Sequence, residues 1–270
     1  MTLTIDGATR LHLILGDPIA QVKSPAGMSA AFAERGLNAI VAPVHVRPDD
    51  LAAFVTGVGR ARNVDGIIAT VPHKFACFEL CATTSDRARF LQSVNTMRRN
   101  PDGSWHGDAF DGLGFVQAAR AAGGAPEGRR VLVVGAGGAG SAIALGFVEA
   151  GAATVAVHDG DPARRDALLR RLAGLGRTEV VAGSPDPTGF DIVANATPAG
   201  MSPADPLPVD VERLAPGTFV GCVITAPAVS PWIAAARARG CGRSMVGADM
   251  YRAVQTLMLD FLTAAGEGRA

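Results

Sequence analysis

One segment decides the fold class of this chain: Val131-Leu132-Val133-Val134-Gly135-Ala136-Gly137-Gly138-Ala139-Gly140. Its four aliphatic residues predict a buried strand that runs directly into a G-x-G-x-x-G loop. An apolar helical pattern through Ile143, Leu145 and Phe147 follows the loop. In this strand–loop–helix setting the glycine pattern binds the pyrophosphate of a dinucleotide. The segment therefore predicts a Rossmann-type unit, with the cofactor held by Gly135, Gly137, Gly138, Ala139 and Gly140.

An acidic residue extends this prediction to the choice of cofactor. Asp159 stands 24 positions after Gly135, at the end of the strand-like run Thr154–His158. A carboxylate there accepts hydrogen bonds from both ribose hydroxyls and repels a 2′-phosphate. The cofactor is therefore NAD or NADP, with NAD favoured by Asp159. Arg164 and Arg165, one helical turn later, could still pair with a phosphate.

The composition is that of an ordinary globular protein of 270 residues, with 48% hydrophobic and 19% charged residues. The net charge is zero and the basic residues are scattered, which predicts neither a nucleic-acid nor a membrane partner. No apolar run approaches the roughly 20 residues that span a bilayer. Charged residues among the first twenty argue against a signal peptide, so we expect a cytoplasmic protein. We expect this protein to be a monomer or a homodimer.

Alternating strand-like and helical patterns predict an α/β fold with parallel sheets. The character of the sequence changes near residues 107 and 247. We expect an N-terminal α/β substrate-binding and catalytic domain, residues 1–106, completed by a C-terminal helix, residues 247–270. Residues 107–246 then form the Rossmann-type dinucleotide-binding domain.

Lysine is rare in this chain. Only Lys23 and Lys74 are lysines among 25 basic residues. Lysine can release a proton near neutral pH when its environment lowers its pKa, whereas arginine stays protonated. Lys74 follows a predicted strand end and turn, and Asp111, at the expected domain junction, is the best candidate for a carboxylate that holds it in place. Lys74 is therefore a candidate proton acceptor for oxidation of an alcohol.

Three possible metal ligands are spaced four residues apart along one helical stripe. They are His73, Cys77 and Cys81. A structural metal site needs a fourth ligand at a suitable spacing, and the remaining cysteines are distant in sequence. We therefore expect no metal, and thiols that serve as small buried side chains or remain free.

Several segments together resemble the shikimate/quinate dehydrogenase family. They follow the family order from about residue 14 to residue 262, and they are Gly16-Asp17-Pro18-Ile19, Lys23-Ser24-Pro25, Thr70-Val71-Pro72-His73-Lys74, Ser93-Val94-Asn95-Thr96, Gly107–Asp111 with Gly114-Phe115, Asn195–Met201, and Gly247 with Met250 and Gln255. The resemblance implies reversible NAD(P)-dependent hydride transfer between a cyclic hydroxy acid of the shikimate type and its 3-dehydro ketone. Aromatic amino-acid biosynthesis would be the setting.

The resemblance also implies roles for individual residues. Lys74 and Asp111 would form the catalytic pair, and substrate hydroxyls would bind Thr70, Asn95 and Gln255. Ser24 would bind the substrate carboxylate, although a serine before a proline can equally cap a helix. Further cofactor contacts would come from Asn195, Thr197, Met201 and Gly247.

Two positions depart from the family pattern. Val22 stands where the family has a second carboxylate-binding serine, and Ile68 stands where it has an asparagine. A polar, charged ring would therefore face more apolar walls. The pocket could suit quinate, an aminated analogue or a less polar cyclic hydroxy acid. The alternatives are a quinate or aminoshikimate dehydrogenase that uses NAD, and a weakly catalytic dinucleotide-binding sensor. A methylenetetrahydrofolate dehydrogenase explains the ordered matches less well.

Overall fold

The computed structural model describes residues 5–202 and 204–264. The chain divides into two compact units. The first unit comprises residues 1–110 and 255–270, and the second comprises residues 111–254. The boundaries expected from the sequence, after residues 106 and 246, lie four and eight residues earlier.

The first unit contains a mixed six-stranded sheet in the order β2-β1-β3-β5-β6-β4. Its strands are β1 Arg10–Gly16, β2 Ala39–His45, β3 Val64–Ala69, β4 Thr83–Thr84, β5 Thr96–Arg99 and β6 Trp105–Asp108. Its helices are α1 Ser24–Glu34, α2 Leu51–Val58, α3 Lys74–Glu79 and α4 Asp86–Leu91, with a short 3-10 helix at Pro48–Asp50. Strand β1 is parallel to both β2 and β3, and its residues Leu13 to Leu15 are buried in the core.

Strand β5 is the exception to the parallel arrangement of the first sheet. This strand runs antiparallel to both β3 and β6. The physical reason is a tight turn at Asn100–Gly103, where Gly103 has a φ of +88° and the Asn100 amide donates to the Ser104 carbonyl at 2.8 Å. Because so short a turn reverses the chain, the next strand pairs in the opposite direction.

The second unit contains a parallel six-stranded sheet in the order β12-β11-β10-β7-β8-β9. Its strands are β7 Arg130–Val134, β8 Thr154–His158, β9 Glu179–Ala182, β10 Ile192–Asn195, β11 Phe219–Cys222 and β12 Ser244–Met245. Its helices are α5 Asp111–Ala121, α6 Gly138–Glu149, α7 Pro162–Ala173 and α8 Pro231–Ala238, with a 3-10 helix at Val211–Arg213. The predicted class, α/β with a Rossmann-type sheet, is confirmed.

The last helix, α9 Gly247–Thr263, explains why one unit boundary lies at residue 254 rather than 246. Its first half packs on α5, where a Cβ on Gly114 would lie 2.3 Å from Val254. Its second half packs on β3, where a Cβ on Gly66 would lie 2.4 Å from Leu262. Glycine at both places allows the helix to approach closely.

The boundary at residue 110 also lies later than the sequence predicts, because the residues just before it still contact the first unit. Strand β6 ends at Asp108, and the amide of Phe110 still bonds the side chain of Asn95 in the first unit. In the part of the chain that the structure describes, no helix combines the length and the apolar character that a membrane span requires.

Candidate functional site

In the first unit, the carboxyl ends of β1 and β3 bring the loops that follow them together. The Thr70 amide donates to the Leu15 carbonyl at 3.0 Å, and the Asp17 amide donates to the Val71 carbonyl at 3.1 Å. A Cβ on Gly16 would lie 2.7 Å from the Thr70 methyl carbon. The methyl group of Thr70 therefore packs against Gly16, and the absence of a side chain at Gly16 makes this approach possible.

Lys74 and Asn95 are joined to the same region by backbone hydrogen bonds. The Val94 amide donates to the Lys74 carbonyl at 3.1 Å. Next in the chain, the Asn95 carbonyl accepts the Ala69 amide at 2.9 Å, directly beside Thr70. Three candidate residues far apart in sequence, Thr70, Lys74 and Asn95, are therefore anchored at adjacent backbone positions. Asn95 is buried, and Lys74 is half-buried as the first residue of α3.

Three further candidates have polar side chains without a hydrogen-bond partner in the described part of the chain. Among residues 5–202 and 204–264, the side chains of Ser24, Thr70 and Gln255 form no hydrogen bond. Ser24 begins α1, and that helix has no side-chain cap, so the alternative role of a helix cap is not what the structure shows. These groups are available to hydrogen-bond a ligand.

Gln255 lies on the part of α9 that belongs to the first unit. It stands two helical turns before Leu262, on the same face of the helix, and Leu262 contacts β3 at Gly66. Alternation along β3 places Ile68 on the same side of the sheet as Gly66, and Thr70 continues this alternation. Gln255, Ile68 and Thr70 therefore share one side of the first sheet.

The two residues that depart from the family pattern differ in exposure. Val22 is half-buried in the loop between β1 and α1, where its amide donates to the Ile19 carbonyl at 3.2 Å. Ile68 is only 2% exposed and pairs in register with Ile14 and Thr96. Val22 retains exposed surface, whereas Ile68 serves mainly as core packing.

In the second unit, Asp111 is the first residue of α5. A carboxylate in the first turn of a helix is favoured by the helix dipole. Helix α5 packs tightly on α6, because a Cβ on Gly112 would lie 1.9 Å from the Ala142 carbonyl oxygen. This contact fixes the position of Asp111 relative to the glycine loop at the start of α6.

Two glycines of that loop are required by close packing. Gly135 has a φ of +105°, and a Cβ there would lie 2.9 Å from a methyl group of Thr197. A Cβ on Gly140 would lie 1.9 Å from the Gly135 carbonyl oxygen. Any side chain at Gly140 would therefore push helix α6 away from strand β7.

The other glycines of the loop face open space. Apart from neighbouring residues of the chain and of the helix itself, no atom of residues 5–202 and 204–264 lies within 4 Å of the position that a Cβ would take on Gly137 or on Gly138. Gly137 is the N-cap of α6 and has no side-chain cap, which leaves backbone amides at the helix N-terminus for an anion. Ala139, the next residue, is half-buried. The residues present fit a dinucleotide pyrophosphate at this place.

Asp159 is buried, and its carboxylate already accepts four hydrogen bonds. Oδ2 accepts from the Ala136 amide at 2.6 Å and from Arg164 Nε at 3.2 Å. Oδ1 accepts from the Asp161 amide at 2.8 Å and from Arg164 Nη2 at 2.7 Å. Burial alone would raise the pKa of Asp159, but Arg164 and the two amides lower it to about 2. The carboxylate thus ties the glycine loop to the start of α7.

Asn195 shapes a second loop through its carboxamide. Its Oδ1 accepts from the Thr197 amide at 3.0 Å and from the Thr197 hydroxyl at 2.6 Å, while Nδ2 donates to the Ala199 carbonyl at 3.1 Å. The Thr197 hydroxyl in turn accepts from the Ala199 amide at 3.1 Å. Both predicted cofactor residues therefore hold the loop with their side chains.

This loop presents Met201, which is 61% exposed. Gly200 has a φ of +99°, and Asp205 Oδ2 accepts from the amides of Gly200 and Ser202 at 3.0 and 2.9 Å. Asp205 is a functional candidate that the structure adds. A single aspartate four residues after Met201 carries no signal of this role in the sequence.

Gly247, the remaining predicted cofactor residue, has a packing role that the structure explains. A Cβ at this position would lie 2.2 Å from the Ile224 carbonyl oxygen. Gly247 therefore allows the start of α9 to approach the segment after β11.

The possible metal ligands have other roles. His73 donates from Nε2 to the Val46 carbonyl at 2.8 Å. Burial raises the pKa of both Cys77 and Cys81 to about 12, so the thiols stay protonated. In the described part of the chain, no three His, Cys, Asp or Glu side chains are grouped to hold a metal ion.

Comparison with known proteins places this geometry in a family. The family profile "Shikimate dehydrogenase substrate binding domain" matches residues 14–97. The chain is 40% identical over 241 residues to shikimate dehydrogenase (NADP(+)) of Rubrobacter xylanophilus, covering 87% of this chain and 84% of the relative. The chain belongs to the shikimate dehydrogenase family. The family and the enzyme class expected from the sequence, an oxidoreductase acting on a CH–OH group, are confirmed.

Solved structures that resemble this chain are named for different substrates. The chain superposes on 5-ketofructose reductase of Gluconobacter sp. strain CHM43 with a TM-score of 0.88 and 28% identity, covering 95% of this chain and 93% of that one. It superposes on quinate dehydrogenase from Corynebacterium glutamicum in complex with NAD with a TM-score of 0.86 and 27% identity, covering 95% and 94%. Membership of the family therefore leaves the substrate to be decided by the residues of the site.

Proposed function

We propose that this protein is an NAD(P)-dependent dehydrogenase that interconverts a cyclic hydroxy acid of the shikimate type and its ketone. The observation that carries this proposal is the set of backbone hydrogen bonds that anchors Thr70, Lys74 and Asn95 at adjacent positions. A second support is the glycine loop, whose open face at Gly137 and Gly138 fits a pyrophosphate.

The proposed chemistry removes a proton and a hydride from the carbinol. A nicotinamide, when bound, supplies the hydride acceptor. Lys74 Nζ takes the hydroxyl proton as the C–O bond becomes a carbonyl, and returns a proton in the reverse direction. Asp111 is proposed to complete the catalytic pair by stabilising the protonated lysine. Ser24, Thr70, Asn95 and Gln255 orient the substrate through hydrogen bonds.

An initial-rate screen tests this function. Purified protein is assayed with shikimate, with quinate and with an aminated analogue, each with NAD⁺ and with NADP⁺. Reduction of the dinucleotide with at least one of these substrates is expected. No turnover of any of them, by protein that still binds a dinucleotide, would leave the sensor alternative and contradict the proposed enzyme.

A less polar substrate is the second candidate, and Val22 favours it. This half-buried aliphatic side chain offers no hydrogen bond to a carboxylate. The similarity to an enzyme named for 5-ketofructose supports the idea that this fold accepts uncharged substrates. The same screen therefore includes a neutral keto-sugar with NADH and NADPH. A kcat/KM for that compound at least tenfold above the value for dehydroshikimate would favour the second candidate.

For the cofactor we propose that Asp159 favours NAD. All four acceptor positions of its carboxylate are in use, and among its partners in the described part of the chain Arg164 alone is an exposed, movable side chain. A ribose diol can take the place of Arg164 on the carboxylate, whereas a 2′-phosphate would draw Arg164 away and meet the negative charge of Asp159.

The variant Asp159→Asn tests this preference. We expect the ratio of kcat/KM for NAD to that for NADP to fall about tenfold, which corresponds to about 1.4 kcal/mol of discrimination. Arg165→Ala is the matched control, since Arg165 pairs with Asp166 instead. If Asp159→Asn leaves the ratio unchanged while Arg164→Ala alters it, the proposed role belongs to Arg164.

A further inference from the structure

The orientation of Asn95 is set by its own surroundings. Its backbone is held on both sides, because its amide donates to the Asp108 carbonyl at 3.0 Å and its carbonyl accepts from the Ala69 amide at 2.9 Å. Only rotation of the side chain remains. The position of the carboxamide therefore depends on the groups that bond it.

Two donors point at the same atom of this carboxamide. The Phe110 amide and the Thr96 hydroxyl each lie 3.1 Å from Asn95 Oδ1. A backbone amide can only donate, so the atom facing it must be the carboxamide oxygen and not the nitrogen. Both donors therefore hold Oδ1 on the side of the carboxamide that faces Phe110 and Thr96.

The consequence concerns what Asn95 can recognise. Because Oδ1 is held toward Phe110 and Thr96, Nδ2, which only donates, lies on the opposite side of the carboxamide. A partner of Asn95 in a substrate is therefore a hydrogen-bond acceptor, such as the oxygen of a hydroxyl or carbonyl group.

Thr96 is well placed to enforce this arrangement. Its side chain is completely buried, and its backbone is fixed in β5 between Ile68 and Asp108. A buried hydroxyl needs a partner, and Thr96 donates to Asn95. We propose that Thr96 is a positioning residue that holds the Asn95 carboxamide so that its amino group faces an acceptor oxygen of the substrate. This inference rests on the proposed function, in which Asn95 binds the substrate.

The first test replaces the hydroxyl of Thr96 by a methyl group. With the best substrate of the screen, Thr96→Val should raise KM about tenfold and change kcat less than threefold, with the KM for the dinucleotide unchanged. Thr96→Ser restores the donor and should return KM to within twofold of wild type. When Asn95 is already replaced by alanine, Thr96→Val should raise KM by less than a further twofold, because the residue through which Thr96 acts is absent.

The control is Thr218→Val in the second unit. Thr218 is also buried and donates its hydroxyl to the Phe190 carbonyl. It should show a similar loss of thermal stability without a change in the KM of the hydroxy acid. An equal rise in KM for this control would mean that general destabilisation, and not the position of Asn95, causes the effect.

The second test addresses the donor assignment itself. Asn95→Asp keeps an oxygen for Phe110 and Thr96 but replaces the amino donor by an acceptor. It should raise the KM for the hydroxy acid at least as far as Asn95→Ala does, while the melting temperature stays close to wild type. A KM equal to that of wild type would overturn the assignment of Asn95 as a donor.

A measurement that does not depend on activity distinguishes the proposed function from the positioning role of Thr96. Amide hydrogen exchange at Phe110 should become at least fivefold faster in Thr96→Val, because the acceptor of that amide is no longer held. If the wild type turns over none of the substrates, the proposed function fails. If the wild type is active but Thr96→Val changes neither KM nor exchange at Phe110, the positioning role of Thr96 fails.

Discussion

Lys74 is the residue on which the proposed proton transfer depends. We expect Lys74→Ala to lower kcat by at least about 100-fold, the range for loss of a general acid–base group. Lys74→Arg should be little better, because a guanidinium does not release its proton. Affinity for the dinucleotide, measured by fluorescence titration, should be unchanged.

The other lysine of the chain supplies a matched control. Lys23 is exposed, and Lys23→Ala should keep kcat within a few-fold of wild type. Near-normal turnover by Lys74→Arg would contradict proton transfer at Lys74.

Val22 is the residue that, in the proposed function, limits the binding of a substrate carboxylate. We expect Val22→Ser to lower the KM for shikimate several-fold, because a hydrogen bond to a charged group contributes about 1.5–3 kcal/mol before reorganisation. The change in kcat should be small if the bond forms equally in the ground and transition states. The comparison substrate is a neutral analogue without the carboxylate. An equal improvement for that analogue would show that the new hydroxyl does not act on the carboxylate.

At the scale of elements, the turn between β7 and α6 combines two kinds of glycine. Gly137→Ala should leave the melting temperature nearly unchanged, because in the described part of the chain its Cβ would contact nothing beyond its chain neighbours. The methyl group would occupy space where we expect the pyrophosphate, so the Kd of the dinucleotide should rise about tenfold, or about 1.4 kcal/mol. Calorimetric titration measures this change.

Gly140→Ala should behave differently. Its Cβ would collide with the Gly135 carbonyl, so we expect a loss of about 3 kcal/mol of folding stability together with weaker binding. Gly57→Ala, inside α2 and also free of contacts, is the control that should affect neither property of the cofactor site. Unchanged dinucleotide affinity in Gly137→Ala would place the pyrophosphate elsewhere.

At the scale of the whole molecule, folding stability should depend on pH through His12. This side chain is 3% exposed and stacks on Phe32, with ring centroids 4.5 Å apart. Burial lowers its pKa from 6.5 to about 4, with nearby Asp65 opposing the shift and Arg10 adding to it. Between these pH values the unfolded chain binds a proton that the folded protein does not. Stability is therefore fully present above pH 6.5 and is lost as the pH falls toward 4.

The expected size of this loss is about 3 kcal/mol, since one pKa unit corresponds to about 1.4 kcal/mol. Urea unfolding at several pH values between 7 and 4 measures it. His12→Leu should flatten the profile in this range. Leu13→Ala, on the same strand, should lower stability at every pH and keep the slope. A slope in His12→Leu equal to that of wild type would assign the pH dependence to other groups.

Local patterns in the sequence were sufficient wherever a few neighbouring residues determine the structure. The run from Val131 to Gly140 contains a strand, a glycine turn and a helix start, so it predicts the Rossmann-type unit without any distant partner. The ordered motifs around Lys74 and Asn95 likewise predict the family, since each motif keeps its own short spacing. The individual roles of Lys74 and Asp111 remain predictions for the experiments above.

The tertiary structure alone decided which atoms of these residues are already in use. The sequence predicts that Asp159 accepts hydrogen bonds from a ribose. In the structure its carboxylate also accepts a hydrogen bond from the amide of Ala136, which lies 23 positions away. The carboxamide of Asn95 is oriented partly by Phe110, 15 positions away. The first half of α9 packs on α5 and the second half packs on β3. The helical pattern in the sequence does not indicate where one half ends and the other begins. Hydrogen bonding and close packing depend on the positions of atoms in space, and the folded chain brings those atoms together from segments that the sequence keeps apart.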